Sequence, residues 1–468
     1  MHADFSRLTF RPGKHYSAVL TQQGRVQLDA DANEQAAIER HQLRTLAADL
    51  IGRHGGPAAA AGFAIGHLPG NHDVDDLTIG GGRYYVDGVL CEADRPEPAP
   101  AVPDDDSPDG DDLRPAPAGW TYWDQPDAYR DQERPEDRLP GEFPFLVYLK
   151  VWERSVTAVE DPEIREAALG AAMPDTAARA KVVWQVLALP ASELSVPEGG
   201  GADQVREAFD AWAEAHERPA CSLAARARRP ERASEDPCLA HPEAAYRGPE
   251  NQLYRVEVHR GGSAEGGATF KWSRENGSVV LPIASVEGVW VDLTSLGDDD
   301  KLGLSVGDRV EVADSAYVSR TEPADLLQVE ETDLPGRRVR LSAEPAPQTA
   351  RLPERHPFLR RWDHRAPRGR SALPLSGGAL PLQEGTWLDL EDGVQVYFRP
   401  CGTYTRGDHW LIPARTATGS VEWPQNAAGT PLLHPPTGPH LHHAPLAWIT
   451  APTTTLDLRR TFTPLAGA

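Results

Sequence analysis

Glycine or proline interrupts this chain roughly once every six residues, with 41 Gly and 43 Pro in 468. Long regular elements are therefore scarce, and most of the chain must be short strands joined by turns. One stretch escapes the punctuation. From Asp31 to Ile51 there is neither Gly nor Pro, and Ala36, Ala37, Ile38, Leu43, Leu46, Ala47, Leu50 and Ile51 form an apolar face. Asp31 and Glu34 stand at capping-box spacing and Gly52 is a natural stop. The pattern predicts one helix of about twenty residues, roughly 30 Å long.

The rest reads as strands. Phe145-Leu-Val-Tyr-Leu-Lys-Val-Trp152 is apolar almost throughout, as in a strand buried on both faces, and Lys181 to Leu187 is a second β-branched run. Arg83 to Val86, Asp87-Gly88 and Val89-Leu90 spell a hairpin. Further strands are expected at 252–259, 269–272, 278–281, 288–293, 386–390, 394–398, 409–412 and 446–449. Residues 304–312, 325–329 and 337–341 have the alternation of a small β-barrel.

The expected fold class is mainly β (α+β): a multi-part sandwich/barrel body, an N-terminal helix and an inserted small barrel. The expected organisation is an N-terminal docking segment with helix and small β region at 1–93 and a Pro/Asp-rich loop at 94–144. A central β domain at 145–300 carries a polar helical insert at 191–244. The small barrel occupies 301–350, and 351–468 completes the central domain with a His/Pro-rich loop. Within the insert, Val205, Phe209 and Trp212 mark a surface helix at 203–216.

Lys+Arg 47 against Asp+Glu 70 gives a net charge of −23. Without a basic stripe, such a chain is a poor ligand for nucleic acid or for an anionic membrane. No apolar run has the length of a signal peptide's core or of a membrane span, so synthesis in the cytoplasm without a signal peptide, and no membrane insertion, are expected. Cys91, Cys221, Cys238 and Cys401 form no C-x-x-C pair and read as reduced thiols.

Several clusters carry chemical interest. The carboxylates Glu153, Glu160, Asp161, Glu163 and Glu166 invite comparison with a glycosidase pair, but Pro162 makes them the acidic start of a helical turn. His440, His442 and His443, with His434 nearby, are the candidate metal ligands, best assembled if three copies met on an axis; no other cofactor is expected. Asp408-His409 with Ser420, or Ser273 with Asp308, lacks a nucleophile elbow. Gly261 to Gly267 lacks the lysine of a phosphate loop and reads as a hairpin connection. Trp120, Tyr122 and Trp123, set in an acidic loop, are candidate exposed contacts for a partner or a sugar.

Longer motifs carry a resemblance. They are Lys14 to Ser17 with Gln22 to Asp31 and Asn33 to Gln35; Val151 to Arg154 with Thr157 and Glu160 to Pro162; Val183 to Val186; Tyr246 to Gly248 with Glu250 to Glu257; Ala268 to Ser278; Leu390 to Val394; and Trp410 to Arg415. The chain resembles an uncharacterised domain family encoded with extracellular contractile injection systems, the phage-tail-like particles of bacteria. Ala32 departs from the tryptophan of that pattern.

The resemblance implies a particle-associated, non-enzymatic structural protein of the baseplate or its fibre-like periphery, extracellular once particles are released. Its partners would be baseplate or fibre subunits or further copies of itself, a trimer being the guess. The expected docking residues are Phe5, Arg7, Phe10, His15, Tyr16, Gln22, Gln23, Arg25, Asp29, Asp31, Asn33 and Glu34. The alternative is a carbohydrate-binding or glycan-processing protein that uses exposed aromatics and carboxylates.

Overall fold

The long strand Phe145–Val156 shows how this sequence folds. Side chains alternate across a strand, and here Phe145, Val147, Leu149 and Val151 enter one core while Leu146 and Tyr148 enter another. Both faces are buried, which is why the run reads as continuously apolar. The computed structural model describes residues 1–70, 75–96, 119–170, 175–197, 199–229, 244–297, 301–320, 322–366 and 373–464. The chain is mainly β with an N-terminal helix and falls into two compact units, Met1–Ile38 with Glu153–Lys181 and Arg218–His440, and Glu39–Trp152 with Val182–Glu217 and Leu441–Ala468.

The second unit is built on a sheet ordered Thr454–Asp457, His442–Ala451, Phe145–Val156, Arg179–Pro190. On one face packs the helix Ala202–Glu217, through Val205, Phe209 and Ala213, spaced one turn apart. Two small sheets fill the other face with Phe63, Leu77, Ile79, Tyr84 and Val86. The Asp87-Gly88 hairpin forms as read, with Val86 opposite Val89 and both turn residues at positive φ.

The first unit contains a sandwich and a barrel. A five-stranded sheet, with Gln252–Arg260 at its centre between Thr269–Ser273 and His409–Arg415, shares a core with the three-stranded sheet of Leu223–Ala227, Trp387–Asp389 and Val394–Phe398. The barrel is closed and six-stranded: Val280–Glu287, Trp290–Leu293, Arg338–Leu341, Leu327–Asp333, Arg309–Ala313 and Phe358–Trp362.

Three boundaries differ from expectation. The barrel begins and ends outside 301–350, because its closing strands at 280–293 and 358–362 carry the same alternation as sandwich strands. The 191–244 insert supplies structural elements, a core helix and the sandwich strand Leu223–Ala227. The 94–144 loop returns to the fold at the strand Trp120–Thr121; its Asp104 to Asp106 run, like Cys238, lies outside the described residues.

The N-terminal helix runs Asp29–Ile51, starting before Asp31. Asp31 is its third residue and accepts the Leu28 N–H at 3.4 Å, the back-reaching half of a capping box, while Asp29 accepts from Ser6. Only Ala30 and Ile38 are buried. The apolar face expected to enter a core is open: Leu43, Leu46 and Leu50 are exposed, and so is Ala32.

Candidate functional site

The N-terminal residues of the first unit form an anchor, a strap and an exposed arm. The anchor is Met1 to Ala3. Asn276, fully buried with φ 52, donates its amide to Met1 O (3.1 Å) and Ala3 O (2.9 Å) and accepts from Arg255 at 3.2 Å. Next to it Gly277 has φ 64, and a Cβ there would lie 2.8 Å from the His2 ring, so the Asn-Gly turn is cut to fit His2. Burial, with Arg255 nearby, pushes the Met1 amine down to about 4.

Beneath the anchor lies a buried ionic chain. Glu257 Oε2 meets His2 Nε2 at 2.9 Å and Arg255 Nε at 2.5 Å, and Oε1 meets Lys271 at 3.3 Å. Lys271 donates to both oxygens of Glu311, at 2.8 and 2.9 Å, and sits 4.2 Å over the Trp362 ring. Trp362 Nε1 (3.0 Å) and Tyr317 OH (2.8 Å) also donate to Glu311, and Arg406 stands 3.9 Å from it. Burial alone would raise both carboxyls. Instead, Arg255 and Lys271 hold Glu257, and Lys271 and Arg360 hold Glu311, well below the usual range. Burial and Arg255 keep His2 neutral, donating Nε2–H.

The strap is Asp4 to Phe10. Ser6 donates its N–H (2.9 Å) and hydroxyl (2.6 Å) to Asp29, and these bonds hold the Asp29 carboxyl low against its partial burial. Arg7 pairs with Glu422 at 2.9 Å, Arg415 donates to Ser6 O at 2.7 Å, and Thr9 donates to Glu34 at 2.5 Å. Further on, the Val19 N–H meets Gln35 at 2.7 Å.

Under the strap is a cleft of about 510 Å³, lined among others by Phe5, Arg7, Asp29, Glu275, Lys301 and Arg415. Glu275 accepts from Arg361 at 3.2 Å through Oε2, while its buried Oε1 has no hydrogen-bond partner among the described residues. Burial and the neighbouring Asp363 charge push its carboxyl up to about 7. A carboxyl poised near neutrality suits proton transfer. The cations around it are engaged, Arg274 with Glu391 at 2.7 Å and Lys301 with Glu250 at 2.9 Å.

The arm is residues 11–28. After the short turn Pro12–Lys14 it carries a second turn, closed by the Arg25 N–H on Gln22 O at 3.2 Å, and it is exposed along its length except at Val19; Leu20 and Val26 are each 82% exposed, and Tyr16 and Leu28 are open too. Of the expected docking residues, Arg7, Asp29 and Glu34 hold the strap, Phe5 lines the cleft, and His15, Tyr16, Gln22, Gln23 and Arg25 lie on the open arm. Phe10 closes the strap, and Asp31 and Asn33 fall in the first helical turns. Sequence reasoning missed the anchor and the ionic chain. The signal available was Arg255, Glu257 and Lys271, charges written into runs that otherwise read as buried strand.

Other candidates are corrected. Trp120, Tyr122 and Trp123 are not an exposed platform. Tyr122 is 2% exposed, Trp123 Nε1 donates to Asp75 O at 3.0 Å, and Arg95 covers Trp120, so these rings seal the core of the second unit. That removes the aromatic support of a sugar-binding reading. The histidine trio is not assembled either. His442 and His443 are adjacent on a strand and so face opposite ways; His442 pairs with Asp87 at 2.8 Å, and His443 turns inward to Glu217 at 3.0 Å and to Tyr148 and Trp212. Among the described residues no His, Cys, Asp and Glu group is arranged to hold a metal.

Glu160 pairs with Arg154 at 2.6 Å, while Asp161 and Glu166 cap 3₁₀ turns. Asp408 accepts from Thr405 N–H and Cys221, while His409 meets Gly407 O. Cys91, Cys221 and Cys401 are free thiols, and no helix among the described residues is long and apolar enough to cross a membrane.

A family of unknown function, DUF6519, matches residues 1–114, 137–217 and 200–451. The chain belongs to this family. The DUF6519 match takes in the anchor, the strap, the arm and the three strands that carry Arg255 with Glu257, Lys271 and Glu311. No curated protein and no solved structure matches the chain.

Proposed function

We propose that this protein is a non-enzymatic structural subunit of a multiprotein particle, of the contractile injection kind that its motifs resemble, placed at the baseplate or its fibre-like periphery. It docks on a neighbouring subunit through its N-terminal arm. One observation carries the reading. The root of the arm is locked by bonds to Met1, His2 and Ala3, while Leu20 and Val26 are each 82% exposed and Tyr16 and Leu28 about half exposed. An anchored strand that exposes large apolar side chains is what insertion into a partner requires.

The experiment introduces Leu20→Asp with Val26→Asp and purifies particles from the producing cells. Loss of the variant from particles, with its soluble pool intact, supports the reading. Incorporation at the wild-type level would sink it.

A further inference from the structure

Building on that docking reading, we propose that the neighbour receiving the arm is a second copy of this chain, and that its landing place is the open face of the N-terminal helix at Leu43, Leu46 and Leu50. The argument is one of charge and of matched apolar surfaces. Residues 11–28 contain Arg11, Lys14 and Arg25 and no acidic residue. Residues 1–28 hold four Lys/Arg against one Asp, which leaves the rest of the chain at −26 where the whole is −23. The helix itself carries Asp29, Asp31, Glu34, Glu39 and Asp49 against Arg40 and Arg44. A basic arm thus belongs to an acidic body, and the body of another copy offers it an attractive field.

The apolar parts match too. Leu43, Leu46 and Leu50 stand at i, i+3 and i+7, so they form one stripe. Both the stripe and the arm's Leu20 and Val26 are exposed within one copy. With its Gln22–Arg25 turn opened out, the segment from Leu20 to Leu28 can reach about 30 Å, enough to cover the helix beyond Ile38, about 20 Å long. Exchange of arms between copies covers both surfaces with one contact type, either reciprocally in a pair or head to tail in a ring.

The test is sedimentation velocity on the purified full chain from about 1 to 100 µM, at about 50 mM and about 500 mM salt. The expected result is self-association that weakens about tenfold or more at the higher salt. Two variants, Lys14→Glu with Arg25→Glu, and Leu43→Asp with Leu46→Asp, should each be monomeric with unchanged thermal midpoints. Mixed together, they should recover association, since one keeps the face and the other the arm.

A wild-type chain that stays monomeric at low salt overturns the inference, as does association that survives both variants. If it is monomeric while Leu20→Asp with Val26→Asp still blocks entry into particles, the inference falls and the docking reading stands with a different neighbour. If particle entry ignores the arm, the docking reading falls.

Discussion

Replacing Lys271 by Met tests the ionic chain beneath the anchor. The Lys271 ammonium bonds directly to both Glu257 and Glu311 (3.3 Å, and 2.8 and 2.9 Å), and all three side chains are buried. Breaking a buried pair by removing one partner costs about 3–5 kcal/mol, because an uncompensated charge is left behind. Glu311 keeps Trp362 and Tyr317, and Glu257 keeps Arg255 and His2, so the lower end, about 3 kcal/mol, is expected.

The pH dependence gives a second handle. In the wild type Glu311 is held well below 4.5, so its contribution is present above pH 4.5 and is lost as pH falls through the folded value. Without Lys271 burial dominates and the carboxyl rises, so the deficit of the variant should narrow between pH 7 and pH 5. Urea unfolding followed by tryptophan emission reads both effects, and adding Glu311→Gln should recover most of the loss. A shift below about 1 kcal/mol at unchanged m, or a deficit indifferent to pH, would refute the reasoning.

Further outcomes are expected. Gly277→Ala should cost about 1–3 kcal/mol, since it sets a Cβ at φ 64 against the His2 ring; a melting midpoint within a degree of wild type would contradict the fit of the anchor. Burial lowers His54 and His364 to about 4 and His259 to about 3. Their stabilisation is complete above pH 6.5 and drains away as pH falls toward 4, so thermal midpoints should drop across that window, and His259→Phe should flatten the drop. Glu275, raised to about 7, works the other way: stability is lost as pH rises from 4.5 through 7, so Glu275→Gln should gain on the wild type at pH 8 and not at pH 5. Equal curves would remove the case for a raised Glu275 carboxyl.

How much of this was legible follows from what pattern can encode. Phe145 to Trp152 and the Asp87-Gly88 hairpin were plain because period and turn chemistry are local properties. The limits of the barrel were hidden, since Val280 to Leu293 alternates as a sandwich strand does and closure is a property of pairing. The apolar stripe of the helix was visible, but a stripe looks alike whether its own core or another chain covers it; Leu43, Leu46 and Leu50 turn out to be open.

The acidic, Pro-rich flanks of Trp120 to Trp123 suggested a solvated loop. What decides their place is the core of the second unit on which they pack, which no local signal records. The anchor was invisible for the same reason: Met1, His2 and Ala3 gain meaning only from Asn276 and Glu257, far along the chain.

The most direct test of the central claim is mass spectrometry of intact particles purified from the native source, with copies of this protein counted against sheath and baseplate subunits. A fixed, low copy number in multiples of three or six, lost when Leu20 and Val26 become Asp, is the predicted result. Particles complete without it, with all of the protein found free, would contradict the account.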